Sequence, residues 1–133
     1  MHSELTNLLY ARYPKIFQEH TRPESQMSKG IATGDGWLNL IDALCSTLQW
    51  DVDHNGAEQI IARQIKERGG VLRFHALNRT DRQDGMILFA ESFSERVCDV
   101  CGQPGKRADI DRQVSTRCPE HSTASIYSQE VSK

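Results

Sequence analysis

The chain has no excess of charge of one sign. Its 16 lysine and arginine residues stand against 18 aspartate and glutamate, a formal net charge of −2 over 133 residues. No global basic field draws it to nucleic acid or to an anionic membrane, which excludes a strongly basic binder. Long hydrophobic runs are also missing. The most apolar window, Trp37 to Trp50, is broken by Asn39, Asp42, Ser46, Thr47 and Gln49, and it is too short and too polar to span a bilayer. Met1-His2-Ser3-Glu4-Leu5 offers no positively charged start followed by an apolar stretch, so no secretory signal is expected and the expected compartment is cytoplasmic.

With 38% hydrophobic and 26% charged residues, the chain lies far from the low-hydrophobicity, high-charge corner of disorder and is long enough for one core. Ser3 to Tyr13 reads as a short helix, with Ser3 as its N-cap, Leu5, Leu8, Leu9 and Arg12 at helical steps and Pro14 ending it. From Pro14 to Gly34 an irregular connection is expected, with one helical turn around Lys15 to His20. Gly34-Asp35-Gly36 then opens the strongest helix, where Asp35 is placed to cap and Trp37, Leu40, Ile41, Leu44, Cys45 and Leu48 form the apolar stripe.

A second helix is expected from about Asn55 to Arg68, with Ala57, Ile60, Ile61 and Ile65 on one face and Gly69-Gly70 closing it. Val71 to Leu77 alternates as a half-buried strand, and Asn78 to Gln83 reads as a turn. A third helix, about Asp84 to Arg96, puts Met86, Phe89, Ala90, Phe93 and then Val97 on one stripe. The fold class is α+β: a mainly helical core over 1–95 with about three to four helices and one strand or small sheet, a metal module over 96–126, and a frayed tail over 127–133.

The most specific signal is Cys98-x2-Cys101, sixteen residues beginning with Gly102, then Cys118-x2-His121. Thiolate sulfur and imidazole nitrogen in two closely spaced pairs suit tetrahedral Zn²⁺, and four protein ligands leave no open position for water or substrate, so the expected cofactor is structural zinc. Lys106 to Arg117 between the pairs reads as a hairpin with Asp109 to Asp111 near its tip, and Pro119-Glu120 suits a first helical turn. Knuckle, hairpin and ligand-bearing helix start together suggest a treble-clef or zinc-ribbon module. Three thiolates and one dication leave a local charge of about −1. Arg96, Lys106, Arg107, Arg112 and Arg117, together with Lys133, are nearly cancelled by Asp99, Asp109, Asp111, Glu120 and Glu130, a mixed surface that fits a protein partner better than DNA.

Other signals shrink. Asp51-Val52-Asp53-His54-Asn55-Gly56 resembles the start of a calcium loop, but its twelfth position is Ala62 where a bidentate Glu is required, and a polar loop in which Asp53 or Asn55 caps the next helix replaces that reading. Cys45 lies within an apolar stripe and reads as core. Gly34-Asp35-Gly36 lacks the further glycines and the Lys-Ser/Thr pair of a phosphate loop. Trp37 and Trp50 read as packing residues, and His75 as an outward strand residue. No histidine has a nucleophile or second carboxylate at fixed local spacing, so no catalytic residue is expected. A set assembled from afar around His20, His75 and Asp51 is the third-ranked alternative.

Arg12-Tyr13-Pro14-Lys15-Ile16-Phe17, Gly34-Asp35-Gly36-Trp37 leading into Leu40-Ile41-Asp42-Ala43-Leu44-Cys45, Gly69-Gly70-Val71-Leu72-Arg73-Phe74, and Cys98-Asp99-Val100-Cys101-Gly102-Gln103-Pro104-Gly105 together resemble a family of small bacteriophage- and prophage-encoded proteins. The resemblance covers most of the chain. It implies phage context, and hence a bacterial host cell, with a C-terminal zinc module and no stated reaction. The chain departs from the family pattern between Gln26 and Thr33, where the family's cysteine and aromatic residues are missing. The expected function is that of a non-enzymatic accessory protein binding a host protein or ribonucleoprotein complex, by analogy an inhibitor of host machinery or of a defence system such as a CRISPR effector. The alternative is nucleic-acid binding or transcriptional regulation through the zinc module.

Overall fold

A computed structural model describes residues 1–122, so 123–126 and the expected frayed tail over 127–133 lie outside the described residues. The architecture is α+β. Helix α1 (Ser3–Arg12) is followed by two short 3-10 turns (Gln18–Thr21 and Gln26–Lys29), and a third (Asp35–Trp37) leads into α2 (Leu38–Asn55). Strands β1 (Ile61–Arg68) and β2 (Val71–Leu77) form an antiparallel hairpin, α3 (Asp81–Ser94) follows, and β3 (Lys106–Ile110) pairs with β4 (Gln113–Arg117). No helix among the described residues is long and apolar enough to cross a membrane.

The stripe on α2 is as the sequence reads it: Ile41, Leu44, Cys45 and Leu48 are buried, with Trp37 fully buried just before them. They pack with Leu9, Phe17, Met27, Ile65, Leu72 and Phe74 in one core. The caps differ from expectation. Residue Ser3 is the first residue of α1, whose N-cap is His2 with no side-chain bond. Asp35 caps nothing; it accepts from the His2 amide at 2.8 Å and its second oxygen pairs with the His2 ring.

The helix expected over Asn55 to Arg68 is a strand. Three isoleucines favour a pleated, half-buried surface, and the helical look of their spacing has a specific cause. Ala62 pairs with Ala76 and Gln64 with His75, so Arg63 is an extra, bulged residue. The bulge stretches the step between buried Ala62 and Ile65 from two residues to three, which imitates a helical period. Gly69 and Gly70 have φ of 59° and 82°, as a two-residue hairpin turn requires, and do not end a helix. Helix α2 instead runs on to Asn55 and ends at left-handed Gly56. Thus Asp51, Asp53 and Asn55 belong to that helix and to no loop, and Asp51 is buried, accepting from Gln83 at 3.2 Å and Asn55 at 2.5 Å.

Helix α3 starts earlier than expected because Thr80 and Gln83 form a capping box, the hydroxyl accepting from the Gln83 amide at 3.2 Å and the Gln83 side chain accepting from the Thr80 amide at 3.1 Å. Its buried stripe is also rotated. Gln83, Ile87, Ala90 and Ser94 face inward, while Phe89 and Phe93 point out and stack on each other at 6.1 Å. The polar members hold the inward face because they have partners there: Gln83 bonds Asp51, and Ser94 Oγ accepts the Leu72 amide at 2.9 Å. Glu91 likewise accepts the Phe74 amide at 2.9 Å, so α3 satisfies the free edge of β2 with side chains.

Candidate metal centre

Two local turns and a helix start deliver four donors to one point. After α3 the chain makes a knuckle in which Gly102 N–H donates to Cys98 C=O at 2.9 Å and Cys98 N–H donates to Gln103 C=O at 2.8 Å. This reversal turns the Cys98 and Cys101 thiols to the same side. The β3–β4 hairpin, turning at Asp111 and Arg112 with φ of 54° and 67°, then returns the chain alongside the knuckle. Cys118 follows β4 directly, and the helical turn over 119–122 brings His121 back over it, its N–H donating to Cys118 C=O at 3.1 Å.

The sulfurs of Cys98, Cys101 and Cys118 and a ring nitrogen of His121 all lie within 4.8 Å of one another, placed to hold one metal ion. His121 Nδ1 stands 3.6 Å from Cys98 Sγ and 3.1 Å from Cys118 Sγ, and the Cys101 and Cys118 sulfurs are 3.7 Å apart. Cys98 and Cys118 are buried and Cys101 is exposed. Burial alone acts to raise the Cys98 thiol, but backbone N–H groups of Cys118, Cys101 and Val100 aimed at its sulfur outweigh it and bring the pKa down to about 7. Cys101 goes the other way: against the Gln103 amide, burial and the neighbouring Cys98 and Cys118 sulfurs raise it. One negative sulfur among three therefore disfavours the next, and a cation resolves that conflict.

The knuckle is welded to the core by features whose role the sequence reading missed. Gly34 and Gly36 lie backbone on backbone against it, with Gly36 N–H donating to Asp99 C=O at 2.9 Å. A Cβ on Gly36 would come to 2.2 Å of the Cys98 carbonyl oxygen, and one on Gly34 to 1.9 Å of the Asp99 carbonyl oxygen. The Trp37 indole donates to Val97 C=O at 2.8 Å. Thr116 Oγ1 donates to Gly70 C=O at 2.6 Å, and Arg117 Nε donates to Asp99 Oδ1 at 2.8 Å. Burial raises the Asp99 carboxyl despite Arg117, which opposes that shift.

The remaining candidates separate. Cys45 is fully buried, and burial pushes its thiol up, away from reactivity. Trp50 is no packing residue: it is 55% exposed and stacks on His54 at 4.5 Å. His20 lies against Tyr10 and its Nδ1 against Phe17 C=O, Asp51 bonds Gln83 and Asn55, and His75 stands out from β2 as expected. No family model, no curated protein and no solved structure matches the chain.

Proposed function

We propose that the bound metal is structural zinc and that the protein is a non-enzymatic, phage-encoded accessory protein that docks on a host protein or ribonucleoprotein assembly and impairs it. Zinc is favoured by the donor chemistry. A tetrahedron with metal–sulfur bonds of roughly 2.3 Å has sulfur–sulfur edges of roughly 3.8 Å, and the Cys101–Cys118 edge of 3.7 Å fits it. With all four positions filled by protein, the metal holds the knuckle, hairpin and helical turn in place and leaves no position for substrate.

The observation that carries the docking reading is the outward face of α3. Leu88, Phe89 and Phe93 are 66%, 71% and 44% exposed. Beside them an apolar concavity of about 450 Å³ opens between α2 and α3, walled by Ala43, Thr47, Met86 and Phe89. Gly85 sits at its edge with nothing within 4 Å of where a Cβ would be, leaving room for a partner's side chain. An exposed apolar patch of this kind marks a contact surface, and the occupant it suits is an aliphatic or aromatic side chain of a protein subunit.

The test is affinity purification from nuclease-treated bacterial lysate of the wild-type chain beside Phe89→Ser, with metal content measured on both. One host complex recovered near stoichiometrically by the wild type, and lost with Phe89→Ser at unchanged zinc content and thermal midpoint, is the expected result. Self-association alone, abolished by the same substitution, would assign the face to a second copy and overturn the reading.

A further inference from the structure

We infer that the exposed face of the β1–β2 hairpin binds the phosphate backbone of a nucleic-acid duplex. This goes beyond the docking reading and does not rest on it, because it concerns another face and is tested without any host protein.

The argument begins with register. In β1 and β2, residues Gln64, Lys66 and Arg68 share one side of the hairpin with Val71, Arg73 and His75, and Lys66 stands directly across from Arg73. Like charges directly opposite on a sheet are destabilising. Here the conflict is not relieved internally: among the described residues Lys66, Arg68 and Arg73 have no carboxylate within ion-pair distance, although the chain forms such pairs elsewhere, as at Arg117–Asp99 and Arg63–Glu19. Glu67, the one acidic residue on these two strands, faces the other way and accepts the Gly70 amide at 2.6 Å. The overall charge of −2 therefore conceals a local excess of the opposite sign.

The side chains also frame a concavity. A site of about 680 Å³ is lined by Lys66, Arg68, Arg73, His75 and Arg107, with Glu95 its single carboxylate. Arg107 is held there from β3, donating to Gly69 C=O at 2.8 Å and to Glu95 Oε1 at 3.3 Å, so Glu95 is engaged by Arg107 and the three strand cations stay free. The scaffold beneath is rigid. Ile65 and Phe74 fix the hairpin's other face in the core, Ala32 bridges the outer edge of β1, and Ser94 and Glu91 occupy the outer edge of β2.

The chemistry selects the ligand. Unpaired Lys and Arg side chains carried on a well-anchored hairpin match phosphodiester oxygens. The face carries no Phe, Tyr or Trp on which unstacked bases could lie, which disfavours single strands. With both strand edges covered, the hairpin cannot enter a groove as a ribbon, so it grips the backbone without reading sequence.

The experiment is fluorescence anisotropy of the metal-loaded full chain with labelled 20-base-pair DNA and RNA duplexes and a single strand of equal length, across a salt series. Duplex binding is expected to weaken with a log–log salt slope of about −0.9 per phosphate neutralised, near −3 for three strand cations. Lys66→Gln with Arg73→Gln should flatten that slope by about two, whereas Lys15→Gln, a lone exposed cation after α1, should leave it unchanged. Preference for the DNA or the RNA duplex identifies the source, and either supports the inference. Absence of duplex binding at low salt, equal or tighter binding of the single strand, or a double variant that keeps its circular dichroism, thermal midpoint and full affinity would each overturn it.

Discussion

The backbone N–H of Gly36 donates to the carbonyl of Asp99 at 2.9 Å, so the turn that opens α2 lies directly on the knuckle that carries Cys98 and Cys101, with no side chain between them. Gly36→Ala would drive a methyl group to 2.2 Å of the Cys98 carbonyl oxygen, a backbone atom that cannot step aside. The expected cost is at least the roughly 1–3 kcal/mol of an overpacked interior, together with weaker metal retention, read by urea unfolding and by competition with a chromophoric chelator. Gly85→Ala has the opposite expected sign. Nothing lies within 4 Å of its Cβ position on α3, so helix propensity stabilises the variant by about 0.5–1 kcal/mol.

Metal removal should unlatch the C-terminal module while leaving the core closed. Cys98, Cys101 and Cys118 are the thiols of the cluster that could hold a metal ion, whereas Cys45 is fully buried on α2. A thiol reagent should find no rapidly reacting cysteine in the zinc-loaded protein, three after chelation and the fourth only in denaturant. Four fast thiols after chelation would mean that the core opens with the module. With free zinc at a thousand times its Kd, mass action raises stability by about 4 kcal/mol, so Cys118→Ser should remove both the zinc and the zinc dependence of the thermal midpoint.

Ser94→Ala should be more damaging than one surface-helix hydroxyl suggests. Its Oγ accepts the Leu72 amide at 2.9 Å inside the molecule, and Ser94 itself is fully buried. Removing the acceptor leaves a buried N–H unpaired, at an expected cost of about 1–3 kcal/mol. Amide hydrogen exchange gives the specific readout: Leu72 should lose protection in the variant while Ile41 and Leu44 on α2 keep theirs.

What the sequence discloses follows how local each signal is. The ligand set Cys98, Cys101, Cys118 and His121 and the intervening hairpin were legible because two-residue spacers and a central turn are short-range devices, and the structure brings all four side chains together. The α2 stripe was legible because it repeats over several turns. Strand β1 was not, because one bulged residue, Arg63, shifts the alternation into a helical-looking step. The phase of α3 is not legible in its apolar content, because Gln83 and Ser94 are drawn inward by partners on α2 and β2 that lie far away in sequence. For the same reason Gly34 and Gly36 read only as the opening of α2 around a capping Asp35: the backbone they touch comes after α3. The hairpin's charge was hidden in a near-neutral total until register set Lys66 opposite Arg73.

Alkaline pH should weaken the fold through two tyrosines on and just after α1. Burial pushes Tyr10 up to about 12, and its hydroxyl donates to Met27 C=O at 2.5 Å. Tyr13 is also pushed up to about 12, by burial first and then by the Asp42 carboxylate, to which its hydroxyl donates at 2.7 Å. Both phenols are thus held protonated in the folded state beyond the ordinary tyrosine value of 10.0. Between those values the unfolded chain has released these protons and the folded chain has kept them, so stability falls as pH rises. The contribution is fully present below pH about 10 and is lost by about 12. Tyrosinate absorbance should show two phenols titrating late, with the urea midpoint falling over the same interval. Tyr13→Phe should reduce that fall and lower stability at neutral pH by removing the bond to Asp42; an unchanged alkaline slope in this variant would show that Tyr13 ionises alike in both states.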